Sequence, residues 1–344
     1  MKPSEAVTIF GVDIGKNLFH VIGLDAGGKP VLRAKFRRDG LLRFFVNTPP
    51  ATIGMESCPG SQWLARKLQA LGHTARIIPA QFVKPFVKSN KNDTVDAEAV
   101  AEALTRPTMR FVQLRNPEQI TVQALHRVRD RFMRQRTGLI NQIRGFLLEF
   151  GISIRQGAGV FKMDFPRILE DAENELPNSL RYLLGDLWND LKALETRIEE
   201  ITLTIQRLVQ SNDTTRRLMT VPGIGPLAAS ALVATAGTGQ HFKNGRFFAA
   251  WLGLVPRQYS TGGKTTLLAI SKRGNTYLRR LLIHGARSCV QTCDRRKHPL
   301  GCWITDLEQR MHRNKVIVAL ANKIARIAWK LLTHPAETFR WSPA

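Results

Sequence analysis

The sequence predicts an α/β amino-terminal part followed by a mainly helical remainder. Short apolar runs separated by turn residues come first, long helical periodicities follow Pro107, and a region rich in glycine and small residues begins near residue 213. A chain of 344 residues is long enough for two or three domains. We therefore expect a mixed sheet with helices in 1–108, arginine-rich helices and a coiled coil in 109–212, and a mainly helical domain in 213–344.

The charge balance indicates a polyanionic partner. Lysine and arginine number 51 against 27 acidic residues, which is a formal net charge of +24. Such an excess destabilises a compact chain by self-repulsion, and binding to nucleic acid relieves that repulsion. The hydrophobic content of 43% is too high for a disordered chain, so the partner is expected to meet a folded protein.

Composition also disfavours membrane and secreted classes. No apolar run of about 18 residues, signal-peptide pattern or lipidation site is present, so we expect no membrane association. The cysteines are too few and too scattered for a disulfide framework, which fits a reducing cytoplasm: Cys58, Cys289, Cys293 and Cys302.

The amino-terminal elements follow in order from the alternation of apolar runs and turns. Residues 7–14 and 18–24 are predicted strands, and "DAGGKP" is the turn before a third strand near "VLRAKF". A fourth strand is predicted at "TIGMES", followed by an amphipathic helix, "SQWLARKLQALG", that Gly72 ends. A strand at "HTARIIP" and a helix that carries Asp93 and Asp96 complete a mixed sheet with helices on its faces.

Acidic residues stand at the ends of these elements. Asp13 ends the first strand, Glu56 ends the fourth, and Asp93 and Asp96 lie one helical turn apart. Carboxylates that converge at one sheet edge repel each other unless divalent cations neutralise them, and oxygen ligands suit Mg²⁺. Each acid alone has a simpler explanation, because Asp93 could be a helix N-cap and Asp96 a first-turn acid that complements the helix dipole. The joint pattern favours a metal site.

The middle of the chain has two long helical patterns with a less regular stretch between them. The first, residues 126–147, is rich in arginine, and we expect Arg127, Arg131 and Arg134 to contact nucleic acid. Residues 151–180 lack clear periodicity and are interpreted as a loop or hinge. The second pattern is an a/d heptad seam, which predicts a coiled coil between copies or, alternatively, a helix packed on its own domain: Leu184, Leu187, Leu191, Leu194, Ile198, Ile201, Ile205 and Leu208.

Residues 218–234 contain a helix-hairpin-helix pattern. In the core "PGIGPLAA", Gly223 and Gly225 allow a tight turn whose N–H groups point towards a phosphate at the start of the next helix. The alternative is an ordinary connection between helices. In so basic a chain we favour phosphate contact, which positions nucleic acid without recognising its sequence.

Residues 253–287 hold a candidate nucleophile. Ser260 and Thr261 are predicted on a short loop before two glycines, where nearby cations could stabilise the charge that develops on a phosphodiester under attack. The alternative is a polar turn. "GGKTT" does not complete a nucleotide-binding loop, because Gln258 stands where that motif needs glycine. The cations expected to bind nucleic acid here are Arg257, Lys264, Lys272, Arg273 and Arg279.

These motifs together resemble those of the DEDD transposases of bacterial insertion sequences, the Piv-like recombinases associated with a structured bridge RNA. "GVDIGK" resembles the first-strand motif with Asp13, "GMESCPG" the Glu56 motif, and "KNDTVDAEAVAEAL" the helix with both further acids. "VPGIGPLAA", "FFAAWLGLVPRQYSTGGK" and "ISKRGNTYLRRLLIHGAR" resemble the family's second half, so the resemblance runs nearly end to end.

The resemblance implies a RuvC-like, ribonuclease-H-type domain, a helical region with a coiled coil, and a transposase domain with a serine nucleophile. It further implies a nucleoid-associated protein that acts as a homo-oligomer, dimer to tetramer, in which acids of one subunit and the serine of another form a composite site. The serine is expected to form a covalent phosphoserine link to DNA, while Mg²⁺ held by the acids activates the phosphate. A bridge RNA that pairs with element ends and target would supply sequence recognition.

Alternatives remain at the site and for the function. Some relatives carry the serine directly before the glycine, where Thr261 stands, and we favour Ser260 because a primary hydroxyl is less hindered than a β-branched one. The rival enzyme is a protein-only junction resolvase or nuclease, which would leave no protein–DNA adduct. The rival without catalysis is an architectural nucleic-acid-binding protein, for which Asp13→Asn would be silent.

Overall fold

A computed structural model of the chain describes residues 7–88, 92–296 and 299–339. Lys91, the first residue of the acidic-helix motif, lies outside these residues. The chain divides into two compact units, Met1–Asn116 and Pro117–Ala344.

The first unit is a five-stranded mixed sheet with helices on both faces. The strand order is β3-β2-β1-β4-β5, in which β1 is antiparallel to β2 and parallel to β4. This arrangement confirms the mixed α/β prediction and is consistent with a ribonuclease-H-type domain. Its elements are β1 (Ile9–Ile14), β2 (Leu18–Leu24), β3 (Pro30–Arg37), α1 (Arg38–Val46), β4 (Thr52–Glu56), α2 (Ser61–Ala70), β5 (Thr74–Ile78), α3 (Ala80–Val83), a 3₁₀ turn (Lys84–Phe86) and α4 (Asp93–Leu104).

All five predicted strands are present, but the sequence analysis missed helix α1. That helix is short, starts with charged residues and contains Gly40, so its apolar pattern is weak. Its buried face is aromatic, and Phe45 packs edge-on against Phe10 of β1 with ring centroids 5.4 Å apart. Helices α1 and α2 thus cover one face of the sheet, where Phe10 and Val12 are fully buried.

Helix α4 covers the opposite face at unusually close range. Gly11 of β1 and Gly54 of β4 are register partners in the parallel pair. A Cβ on Gly11 would lie 2.1 Å from the carbonyl oxygen of Ala97, and a Cβ on Gly54 would lie 2.3 Å from Leu104 Cδ1. Both distances are far below van der Waals contact, so only glycine at these two positions lets α4 rest directly on the sheet.

Over the residues that the structure describes, the second unit is helical apart from one two-stranded hairpin, β6–β7. Its core joins α8 through α13, whose buried residues form one continuous apolar cluster. Among the helices of the described residues, none is both long and apolar enough to cross a membrane. The elements are α5 (Pro117–Leu148), α6 (Ala158–Glu170), α7 (Asn178–Gln210), α8 (Asp213–Met219), α9 (Pro226–Ala236), α10 (Gly245–Trp251), β6 (Pro256–Thr261), β7 (Lys264–Ile270), α11 (Thr276–Thr292), α12 (Pro299–Glu308) and α13 (Arg313–Thr333).

The heptad seam of α7 packs within its own chain. Every seventh residue of the seam is buried, and Leu184 and Leu191 join a core with Ile140 and Ile143 of α5. Leu208 at the end of the seam stays 40% exposed. The alternative of a helix packed on its own domain therefore accounts for the buried positions, and a coiled coil between copies is not confirmed.

The prediction of a loop over 151–180 is wrong for its centre, which forms α6. Phe161 and Phe165 of this helix are fully buried and pack against Trp188 of α7. Pro166 stands inside the helix and Gly157 precedes it, so the sequence shows breaker residues where packing maintains a helix. Burial of two phenylalanines outweighs these weak local preferences.

His126 connects three helices of the second unit through a buried polar network. Its side chain is 3% exposed, its Nε2 donates to Ser230 Oγ of α9 at 3.0 Å, and the Tyr277 hydroxyl of α11 donates to its Nδ1 at 2.9 Å. Ser230 Oγ in turn donates to the Pro226 carbonyl, which fixes the direction of the network. Burial, and secondarily the Arg129 charge, lowers the pKa of His126 from 6.5 to about 4.

This shift predicts acid-sensitive stability. The unfolded chain binds a proton at His126 below pH 6.5, whereas the folded chain does so only near pH 4, so acid favours unfolding within that window. Between pH 7 and pH 5 the loss is about 2 kcal/mol, at ~1.4 kcal/mol per unit of pKa difference. Urea unfolding at both pH values measures it. In His126→Gln, whose amide offers both a donor and an acceptor but does not titrate, this part of the pH dependence should vanish, and an unchanged slope would contradict the assignment.

Candidate functional site

Asp13 and Glu56 reach the same edge and the same face of the sheet. Asp13 is the second-last residue of β1 and Glu56 the last of β4, and the two strands run parallel with Val12 opposite Met55. Because side chains alternate along a strand, both acids lie on the side of Gly11 and Gly54, which is the side that α4 covers. The register thus places the two acids at the same edge and on the same face of the sheet.

The helix acids face this edge from the first turn of α4. Asn92, not Asp93, is the N-cap, and its side chain accepts a hydrogen bond from the Thr94 N–H at 3.0 Å. The alternative that Asp93 caps the helix is therefore wrong. Asp93 keeps a side chain that is 63% exposed, while Asp96 is half-buried.

The acids of the site are close enough for their charges to interact. Burial raises the pKa of Asp13, and the charges of Asp93 and Asp96 raise it further. The pKa of the Cys58 thiol is raised first by burial and then by Glu56 and Asp13, which shows that these two acids share its surroundings. Like charges so placed favour a bound cation.

His20 is a candidate site residue that the sequence did not indicate. It stands directly opposite Asp13 in the β1–β2 pair, and its side chain is buried on the α4 face. One nitrogen of His20 and one carboxylate oxygen each from Asp13 and Asp93 all lie within 4.8 Å of one another, a group to which Glu56 and Asp96 do not belong. A histidine inside an apolar strand gave no signal, because its partner across the sheet depends on register.

Ser260 and Thr261 end a β-strand, which corrects the prediction of a loop. They are the last residues of β6, Gly262 and Gly263 form the turn with φ of +52° and +77°, and β7 returns antiparallel. Ser260 pairs with Thr265 and Thr261 with Lys264, so the two hydroxyls lie on opposite faces of the hairpin. Gln258 lies two residues before Ser260 and its side-chain amide donates to Ser260 Oγ at 2.7 Å.

Arg279 holds the base of this hairpin. Its side chain is 7% exposed, and Nη1 donates to the carbonyl oxygens of Leu252 at 3.0 Å and Arg273 at 2.9 Å. These carbonyls precede and follow the hairpin, so one guanidinium joins its two ends. These internal contacts explain Arg279 without the nucleic-acid contact predicted for it, and that contact stays a prediction. The other predicted cations of this region are exposed: Arg257, Lys264, Lys272 and Arg273.

The arginines of α5 divide into two groups. Arg127, Arg131 and Arg134 are exposed and recur at helical spacing, so they form one stripe, although Arg134 also pairs with Asp130 one turn earlier on the same helix. The other three contact other segments of the unit: Arg129 Nε donates to Thr202 Oγ1, Arg136 pairs with Glu195, and Arg144 donates to the carbonyls of Arg155 and Gly157.

The two glycines of the helix-hairpin-helix pattern differ in their surroundings. Gly223 has φ of +88° and packs against α11, where a Cβ would lie 3.0 Å from the Gly285 carbonyl oxygen. Gly225 is exposed and precedes α9, whose first residue is Pro226. Internal packing thus explains Gly223, while Gly225 stays open to a ligand at the helix start.

Comparison with known proteins relates the chain to one family. A model for DEDD transposases of the IS110 type matches residues 10–152, and a model described as the transposase IS116/IS110/IS902 family matches residues 215–299. A probable family 20 transposase of Pseudomonas aeruginosa is 46% identical over 94% of this chain and 96% of its own. The transposase of element IS1328 from Yersinia enterocolitica is 46% identical (95% and 97%), and that of IS1111A from Coxiella burnetii 39% (97% and 92%).

The chain belongs to the IS110/IS116/IS902 transposase family. It is a DNA transposase, and DNA is its substrate. The acids Asp13, Glu56, Asp93 and Asp96 lie in the part that matches the DEDD model. The hairpin with Ser260 lies in the part that matches the second model.

Matched substitutions in the transposase separate structural from DNA-binding arginines. Arg279→Met should lower the free energy of unfolding by about 1–3 kcal/mol, because two carbonyls lose their donor, without changing the salt dependence of DNA binding. Arg257→Met should leave stability unchanged and reduce the slope of log Kd against log salt by about one. Urea unfolding and titration with a DNA duplex at several salt concentrations measure both. An equal loss of slope in folded Arg279→Met would contradict its structural role.

Proposed function

We propose that this transposase cuts and rejoins DNA through a covalent link to Ser260, with Mg²⁺ held by Asp13, Glu56, Asp93 and Asp96. The observation that supports the proposal is that the charges of Asp93 and Asp96 act on Asp13, with Glu56 at the same sheet edge, in a chain of net charge +24. The donors fit the ion, because carboxylate oxygens are hard ligands. Bound Mg²⁺ would neutralise charge on the phosphate and on the departing oxygen.

The covalent step conserves phosphodiester bonds. Ser260 Oγ attacks the phosphorus and gives up its proton, a bond from phosphorus to Oγ forms, and the bond to the 3′-oxygen breaks. The 3′-oxygen leaves as a hydroxyl once it takes a proton. Attack by the 3′-hydroxyl of a second strand reverses these changes, releases Ser260 and joins DNA in a new order, so no external energy source is required.

Ser260 is favoured over Thr261 by its position as well as by its primary hydroxyl. The Gln258 amide donates to Ser260 Oγ, which leaves the hydroxyl proton free to point away from the hairpin. Thr261 lies on the other face, opposite Lys264. A nucleophile must be aimed at its phosphate, so one face of the hairpin, not both, is expected to meet the DNA.

A bridge RNA is proposed to supply sequence recognition, while the protein holds nucleic-acid backbone. The exposed stripe Arg127, Arg131 and Arg134 and the exposed cations of the hairpin support backbone contact. In this proposal residues 1–108 hold the metal site, 109–212 contact backbone and 213–344 present the nucleophile. Two to four copies would assemble, with acids and serine from different subunits, and exposed apolar residues of α7 such as Leu203 and Leu208 support association.

The Ser260 hydroxyl is tested by trapping the adduct. Wild-type protein incubated with labelled element-end DNA, Mg²⁺ and its RNA should yield a complex that survives SDS. Ser260→Ala should abolish this complex and retain nucleic-acid binding, whereas Thr261→Ala, the matched control, should keep most of it.

Each other outcome has a clear meaning. A normal adduct in Ser260→Ala that disappears in Thr261→Ala would move the nucleophile to Thr261. Cleavage that depends on Asp13 but leaves no adduct in any variant would support the protein-only resolvase instead.

The guide is tested by sequencing RNA that purifies with the protein from cells carrying its native flanking DNA. One discrete transcript from the element, with loops complementary to the element ends and an insertion site, is expected. Bulk cellular RNA that is removed by salt would contradict RNA guidance and leave only electrostatic binding.

A further inference from the structure

The three histidines that are buried among the described residues differ in how their ring nitrogens are satisfied. His73 accepts from the Ala51 N–H and donates to the Phe45 carbonyl, and His126 bonds Tyr277 and Ser230. His20 is 6% exposed, yet within the residues that the structure describes its Nδ1 has no hydrogen-bond partner. Buried polar atoms are nearly always paired, so the orphan nitrogen of His20 indicates a missing ligand.

The orphan nitrogen points at the acids. His20 is the cross-strand partner of Asp13, and its Nδ1 lies 3.7 Å from Asp93 Oδ2, too far for a hydrogen bond. Nitrogen and carboxylate oxygens surround a gap in which all three ligand atoms are within 4.8 Å of one another. The three side chains come from β1, β2 and the start of α4, so the sheet register and the seating of α4 together build the gap.

We propose that His20 Nδ1 is a ligand of a divalent cation shared with Asp13 and Asp93. This inference rests on the proposed function, in which the acids hold such an ion, and it adds a nitrogen to a set of oxygens. Mg²⁺ prefers oxygen alone, whereas divalent ions of the transition series accept imidazole nitrogen more readily. The site therefore prefers Mn²⁺ to Mg²⁺.

The distances between these ligand atoms suit a single bound ion. With metal–ligand distances of about 2.1 Å, adjacent ligands of an octahedral ion lie roughly 3.0 Å apart and opposite ligands roughly 4.2 Å apart. The 3.7 Å between His20 Nδ1 and Asp93 Oδ2 falls between these values, so small side-chain rotations bring both atoms to the ion. Coordination also satisfies the orphan nitrogen and relieves repulsion between the two carboxylates.

Pulsed electron paramagnetic resonance of Mn²⁺ bound to the full-length protein tests this directly. Wild-type protein with one equivalent of Mn²⁺ should show modulation from a directly bound ¹⁴N nucleus, and labelling histidine with ¹⁵N should change its frequency. His20→Gln should still bind Mn²⁺ through the acids but lose the nitrogen signal. His284→Gln, the same substitution at an exposed histidine of the second unit, is the control and should keep it.

Competition between the two ions provides the second measurement. In His20→Gln the preference for Mn²⁺ over Mg²⁺ should fall about tenfold or more, since only the nitrogen distinguishes the two ions. An equal loss of affinity for both ions would assign His20 a merely structural role and overturn the proposal. Circular dichroism checks that the variant is folded, and the wild-type nitrogen signal decides the question if it is not.

Failure of this inference differs from failure of the proposed function. Wild-type protein that binds Mn²⁺ with no nitrogen modulation would overturn the role of His20 and leave the acids as metal ligands. Wild-type protein that binds no Mn²⁺, with Asp13→Asn indistinguishable from it, would overturn the metal site itself and His20 with it.

Discussion

The close seating of α4 on β1 and β4 is the constraint on which the first unit depends. Gly11 and Gly54 remove the side chains that would hold the helix away, and Ala97 and Leu104 of α4 occupy the space. That contact carries the start of α4, with Asp93, to the edge where β1 and β4 end. The apolar burial of α4 thus opposes the repulsion of the acids it brings together, and a bound cation would remove that repulsion.

In the second unit, the β6–β7 hairpin is anchored at its base and exposed at its tip. Arg279 joins both ends of the β6–β7 hairpin from inside the core, while β6 is exposed along its whole length. A two-stranded hairpin alone is only marginally stable in water, so contacts at its base must stabilise it. Such a tip can present Ser260 to a large, flat substrate such as DNA, which a closed pocket could not admit.

The arginines of this chain have two roles, which depend on burial: some make contacts within the fold, and others are exposed. Arg129, Arg136 and Arg144 make contacts within the unit, and the exposed Arg127 and Arg131 lie on the same helix. The net charge of +24 overstates the charge available to nucleic acid, because part of it crosslinks helices. The histidines also differ in role. His73 and His126 make hydrogen bonds within the core, whereas His20 faces the acids.

The sequence alone determined the strands, the long helices and the acids at strand ends, because period-2 and period-3.6 patterns and turn residues are local signals. It did not reveal α1 or α6, whose short apolar faces are interrupted by Gly40 and Pro166. Only the tertiary structure decided that His20 opposes Asp13, that Ser260 and Thr261 lie on opposite faces, and that Arg279 is buried. Register and burial depend on residues far apart in the chain, so no local pattern contains them.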